Sequence, residues 1–181
     1  MTQQPAPLAA PQSARRLLIV WWSVTGASRA MALAAHRAAC DAQECEVQAC
    51  EVHLRQAGEA SVDDLLQANA FLFVMPEMLG SMAGAMKDLF DRTYYPLLGR
   101  LEGRPYALVV CAGSDGSGAV RQLERIVTGW RLRRVAEPLI VCTHAQTPEA
   151  IAAPKVMTPE ALEAAAVLGQ SLATGVALGI W

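Results

Sequence analysis

The 181-residue sequence is poor in charge and in aromatic rings. Asp, Glu, Lys and Arg make up 18% of it, below the roughly 25% usual in globular domains. Fifteen basic and 17 acidic side chains leave a formal net charge of −2, so no single-sign field draws the chain toward nucleic acid or a charged membrane surface. Its five cysteines, at 40, 45, 50, 111 and 142, are an odd number, which suits a reduced, cytoplasmic compartment rather than a disulfide framework. Met1 to Gln12 lack the charged and apolar regions of a secretion signal. Long apolar runs are missing too. The most apolar stretch, Ala164 to Trp181, is broken by Gln170, Ser171, Thr174 and several glycines, and reads as a buried or partner-facing helix rather than a membrane span. There is no GK[ST] ending of a Walker loop and no G-x-G-x-x-G after the first apolar run. No repeat or linker divides the chain, so residues 1–14 read as a flexible tail and 15–181 as one domain.

What is present is a regular alternation. Leu17 to Trp22, Ala70 to Met75 and Ala107 to Cys111 are short apolar runs bounded by turn signals, the pattern of parallel strands covered on both faces. Glu44 to Val52 alternates Cys45, Val47 and Ala49 with polar residues, predicting an edge strand. Val135 to Thr143 contains Pro138, which cannot donate to a ladder, and predicts the other edge. Helical patterns lie between, over 27–40, after Ser61, from Met82, and over 119–130; Thr158-Pro159 marks the start of a last helix. Right-handed crossovers then give a three-layer α/β fold around a five-stranded parallel sheet of order 2-1-3-4-5.

Ligands of such sheets bind beyond the carboxyl ends of the strands, at the switch between strands 1 and 3. After strand 1 comes Ser23-Val24-Thr25-Gly26-Ala27-Ser28, three hydroxyls and a glycine at the mouth of a helix. Unpaired amides and the positive end of the helix dipole hold a dianion there, Ser23, Thr25 and Ser28 add hydrogen bonds, and neither a lysine nor a metal is needed. Two further loops converge on this point: Pro76-Glu77-Met78-Leu79-Gly80-Ser81 and Ala112-Gly113-Ser114-Asp115-Gly116-Ser117-Gly118.

Ser23-x-Thr25-Gly26-x-Ser28 resembles the phosphate loop of flavodoxins. Pro76-x-x-x-Gly80-Ser81 followed by Lys87-x-x-x-Asp91 is similar to a segment of the NAD(P)H-dependent FMN reductases and quinone reductases of the flavodoxin-like superfamily. The resemblance covers about residues 16–143. It implies FMN as cofactor, with Ser23, Val24, Thr25, Gly26, Ala27 and Ser28 around the phosphate. Pro76, Glu77, Met78, Leu79, Gly80 and Ser81, with Gly113, Ser114, Asp115 and Gly116, would border the isoalloxazine ring. Ala27 departs from the Asn that flavodoxins commonly carry, removing one side-chain contact. Neither ring loop offers an aromatic residue, which leaves a ring face open to a nicotinamide or quinone. The resemblance thus implies an enzyme moving electrons from NAD(P)H through the flavin to a quinone, flavin or similar small acceptor. The flavin carries the chemistry, and no catalytic acid or base is assigned. A flavodoxin-type electron carrier is the alternative, disfavoured by the weak net charge.

Other patterns compete with this reading. Cys40, Cys45, Cys50 and His53 suggest a zinc set, but Cys45 and Cys50 fall on opposite faces of one strand, so the thiols are read as small apolar side chains. Ser114, with Glu137 and His144 downstream, resembles a relaxed nucleophile elbow and would make an acyl hydrolase. Lys87 and Asp91 read as a helix-surface pair, and Arg121, Arg125, Arg131, Arg133 and Arg134 as a solvated face. Trp130, Trp181, Tyr94 and Tyr95 serve either the core or a homo-oligomer contact, dimer or tetramer.

Overall fold

Leu17, Leu18, Ile19 and Val20 are all fully buried, as consecutive residues are in a strand covered on both faces. They form β1 (Arg15–Trp21), the first element of a computed structural model that describes residues 14–43 and 50–181. The elements continue with α1 (Ala27–Gln43), β2 (Cys50–Gln56), α2 (Val62–Gln67), β3 (Ala70–Met78), β4 (Ser81–Met82) and α3 (Gly84–Leu97). There follow β5 (Pro105–Ala112), α4 (Ser117–Gly129), β6 (Arg133–Arg134), β7 (Leu139–Cys142), α5 (Pro148–Ala152) and α6 (Pro159–Leu178). The sheet runs β2-β1-β3-β5, with β6 and β7 both alongside β5. Its order is the 2-1-3-4-5 of the sequence reading, and the main ladders are parallel.

The strand count is seven rather than five, for two local reasons. The fifth strand is in two pieces: β6 pairs with Pro105 and Tyr106, and β7 with Val109 to Ala112. Pro138, without an N–H, stands at the break. β4 folds back antiparallel on the end of β3, pairing Met82 with Glu77 and Ser81 with Met78. The two turn residues, Leu79 at φ 53° and Gly80 at φ 70°, both lie in the left-handed region, as a two-residue type I′ hairpin requires. Helix α3 therefore starts at Gly84 and not at Met82. The second strand, predicted over Glu44 to Val52, is described over Cys50–Gln56. Residues 44–49 with Cys45, and the tail residues 1–13, lie outside the described residues.

Alternate residues of the central strands feed two cores. Leu18, Val20, Phe71, Phe73, Leu108 and Val110 face α3 and α4, where Trp130 is buried against Phe90 and donates its indole N–H to the Tyr94 carbonyl (3.2 Å). Tyr95 by contrast is exposed. Leu17, Ile19, Leu72, Val74 and Val109 face α1 and α6. By length and mean hydropathy (1.4) α6 would suit a membrane span, yet Ala165, Leu172, Ala173 and Val176 are buried against the sheet and α1. Ser61 and Asp64 form a capping box on α2, and Thr158 caps α6 with Pro159 in its first turn. Lys87–Asp91 and Asp88–Arg92 are surface pairs at 2.5 and 2.8 Å. Arg131 pairs with Glu102, and Arg134 with Glu124 and Glu137, so these arginines are solvated partners of acids.

Burial pushes the Cys50 thiol up to about 11. The unfolded chain loses this proton first, near pH 8.5, so above that the unfolded state binds fewer protons and stability falls as pH rises toward 11. Urea unfolding from pH 8.5 to 11 is expected to show this loss, on the order of 2 kcal/mol. A Cys50→Ala variant should show a shallower decline. Equal slopes in the two proteins would refute the assignment.

Candidate functional site

At the carboxyl end of β1 the chain must turn sharply to start α1, and Gly26 makes the turn at φ 96°, a conformation glycine takes without strain. Ser23 Oγ accepts the Gly26 N–H at 3.0 Å. The first helical bond runs from the Ala30 N–H to the Gly26 carbonyl (2.9 Å), so the amides of Ala27, Ser28 and Arg29 precede the ladder and point out of the helix start. Ser28 is 0% exposed, and its hydroxyl meets no hydrogen-bond partner among the described residues. Cys111 lies alongside; burial raises its thiol, and the Ser28 hydroxyl, placed to donate to a thiolate there, lowers it in part. A buried hydroxyl left without a hydrogen bond costs about 1–3 kcal/mol.

Ser28 belongs to the lining of a cavity of about 360 Å³, within the range of small-molecule sites. Ser23, Val24, Thr25, Ala27 and Ser28 form one wall. Pro76, Glu77 and Met78 from the end of β3, with Cys111, Ala112 and Gly113 from the end of β5, form the second. Thr143, Ala145, Ile151, Ala152 and Lys155 form the third. The topology explains the convergence, since β1, β3 and β5 are neighbours whose carboxyl ends open on one edge. No aromatic side chain lines the cavity among the described residues.

The residues singled out in the sequence divide accordingly. Ser23, Val24, Thr25, Ala27, Ser28, Pro76, Glu77, Met78 and Gly113 are brought together, and Gly26 shapes the turn. Leu79, Gly80 and Ser81 make the hairpin tip outside the wall, with Leu79 fully exposed. Ser114 and Asp115 are exposed beyond it, and Gly116 is buried at the start of α4, left-handed at φ 86°. Glu77 does more than border the cavity. Its Oε2 accepts the Gly116 N–H (2.9 Å), and its Oε1 accepts those of Gly118 (3.0 Å) and Ala119 (3.2 Å). It thereby caps α4, which has no side-chain cap of its own.

The third wall was not anticipated. Thr143 and Ala145 follow the carboxyl end of the fifth strand, where the topological rule itself points. For Ile151, Ala152 and Lys155 the only local signal is Thr147-Pro148, a cap and first-turn proline that start α5. The hydrolase constellation is not assembled. Glu137 precedes β7 and is paired with Arg134, whereas His144 follows β7. An extended strand carries them apart by on the order of 20 Å, at roughly 3.3 Å per residue.

Solved structures share this fold at low identity. A flavodoxin from the domain Archaea is 16% identical with a TM-score of 0.69, over 89% of this chain and 98% of that one. A WrbA-like flavodoxin from Agrobacterium tumefaciens is 16% identical with a TM-score of 0.68, over 90% and 97%. A flavodiiron core from Synechocystis is 15% identical with a TM-score of 0.71, over 92% of this chain and 37% of that one. No curated protein sequence matches the chain. Residues 25–146 match the family described as NADPH-dependent FMN reductase. That span starts in the turn into α1 and runs past β7, over most of the chain, so this flavodoxin-like chain belongs to the NADPH-dependent FMN reductase family.

Proposed function

We propose that this FMN-binding oxidoreductase takes electrons from NAD(P)H and delivers them to a quinone, a flavin or a similar small acceptor. The observation that carries the reading is a cavity at a helix start whose wall includes Ser28, a buried residue whose hydroxyl meets no hydrogen-bond partner among the described residues. A phosphate there would take hydrogen bonds from the amides of Ala27, Ser28 and Arg29 and from the hydroxyls of Thr25 and Ser28. FMN, when bound, supplies the two-electron chemistry. Pro76, Met78, Ala112 and Gly113 offer an apolar wall for its ring. Exposed Val24, Met78 and Ile151 at the rim suit a flat, apolar acceptor. The Glu77 carboxylate is engaged by three amides of α4, and no side chain is assigned proton transfer. The partners of this reading are a small-molecule acceptor and further copies of the chain.

Titration of FMN into the flavin-free protein, followed by flavin fluorescence, is expected to show saturable binding. Ser28→Ala should weaken it about tenfold, the size of one hydrogen bond to a charged group. NADPH consumption should then depend on added FMN and accelerate with free quinone. Failure to take up FMN overturns the proposal; binding without quinone turnover leaves an electron carrier.

A further inference from the structure

The chain contains two lysines, Lys87 and Lys155. Lys87 is neutralised by Asp91 on the surface of α3. Lys155 meets no carboxylate among the described residues. Its ammonium donates to the carbonyls of Ala150 (2.6 Å), Ile151 (2.9 Å) and Ala153 (2.7 Å), which end α5. Its backbone N–H donates to the Thr25 carbonyl (2.8 Å), which ties the segment after α5 directly to the turn that leads into α1. Among the described residues only one other in the cavity wall carries charge, Glu77, and both its oxygens are taken by α4 amides. Among the described residues the wall thus holds one cation whose charge is met by neutral dipoles alone, on a segment whose backbone bonds the turn into α1. Neutral carbonyls are weaker acceptors for an ammonium than an anionic oxygen is. A four-carbon stem lets the ammonium exchange one for the other.

We propose that Lys155 is the residue by which this chain selects a phosphorylated flavin over an unphosphorylated one. On binding, its ammonium gives up one α5 carbonyl for a phosphate oxygen, adding a charge-assisted bond to those of the amides and hydroxyls. The selection rests on the FMN reading above.

The test compares dissociation constants for FMN and riboflavin, by flavin fluorescence, in the unaltered chain and in Lys155→Met and Lys155→Arg. Lys155→Met is expected to weaken FMN about 10- to 100-fold and to leave riboflavin within about twofold, while Lys155→Arg keeps most of the preference. Equal weakening of both flavins would overturn the proposal, because it would mean that Lys155 only holds the segment after α5 in place. Unchanged FMN binding would overturn it as well. If the methionine variant does not fold, Lys155→Gln, which keeps a donor for the carbonyls without the charge, is judged by the same two outcomes. An unaltered chain that binds neither flavin removes the FMN reading itself and this inference with it. One that binds both equally removes this inference alone.

Discussion

Gly169→Val should lower the unfolding free energy by about 3 kcal/mol or more, as inserting methyl groups into a closed core does. Gly169 lies in α6 where that helix crosses α1. A Cβ built there overlaps the Ala35 carbonyl oxygen and comes within 2.7 Å of its carbonyl carbon and 2.8 Å of its Cα. Those atoms are helix backbone, so they cannot rotate away as a side chain can. The small residues Ala32, Ala35 and Ala39 of α1 and Ala165 and Ala173 of α6 are buried in the same layer, and the close approach depends on them. Gly169→Ala separates two effects. Helix propensity predicts a gain of about 1 kcal/mol over glycine, and the overlap predicts a net loss. Urea unfolding should show the loss, and a raised midpoint would mean that the helices separate at little cost.

Glu77→Ala should remove about 2–3 kcal/mol of stability and weaken FMN binding together. The carboxylate is the acceptor for Gly116, Gly118 and Ala119, and without it the first turn of α4 loses its cap and an anion at its positive end. The same contact locks the hairpin of β3 and β4 to α4. Gly118 permits the lock, since a Cβ there would overlap the Gly80 carbonyl oxygen and reach 3.0 Å from Glu77 Oε1. Gly118→Ala should therefore push the hairpin away and weaken FMN through the same contact, while Glu77→Gln, with one acceptor oxygen left, should fall between. Urea midpoints and FMN dissociation constants measured on all three variants test this. A Glu77→Ala protein with an unchanged midpoint would refute the capping role.

Local features were legible before any coordinates. Runs such as Leu17 to Trp22 become β1, and Ser61 and Thr158 become caps, because each depends on the chain within a few residues. The hairpin at 77–82 has no signature in the sequence, because Leu79-Gly80 lacks the usual Asn-Gly or Asp-Gly signal and leucine seldom takes a positive φ. Pro138 was visible as an edge-strand residue. That the strand would part into β6 and β7 was not, because both halves are held by β5 rather than by each other.

The amino-acid sequence by itself determined the alternation of strands and helices and the hydroxyl-rich turn after β1, set by side-chain period and backbone dihedrals of contiguous residues, and the sheet order, set by the right-handed crossover rule and by which strands carry an edge pattern. Only the tertiary structure decided that Glu77 caps α4, that Gly169 must be bare against Ala35, that the Ser28 hydroxyl meets no hydrogen-bond partner among the described residues, and that Lys155 stands beside Thr25. These depend on distances between segments remote in the chain, and no spacing rule along one segment contains such a distance.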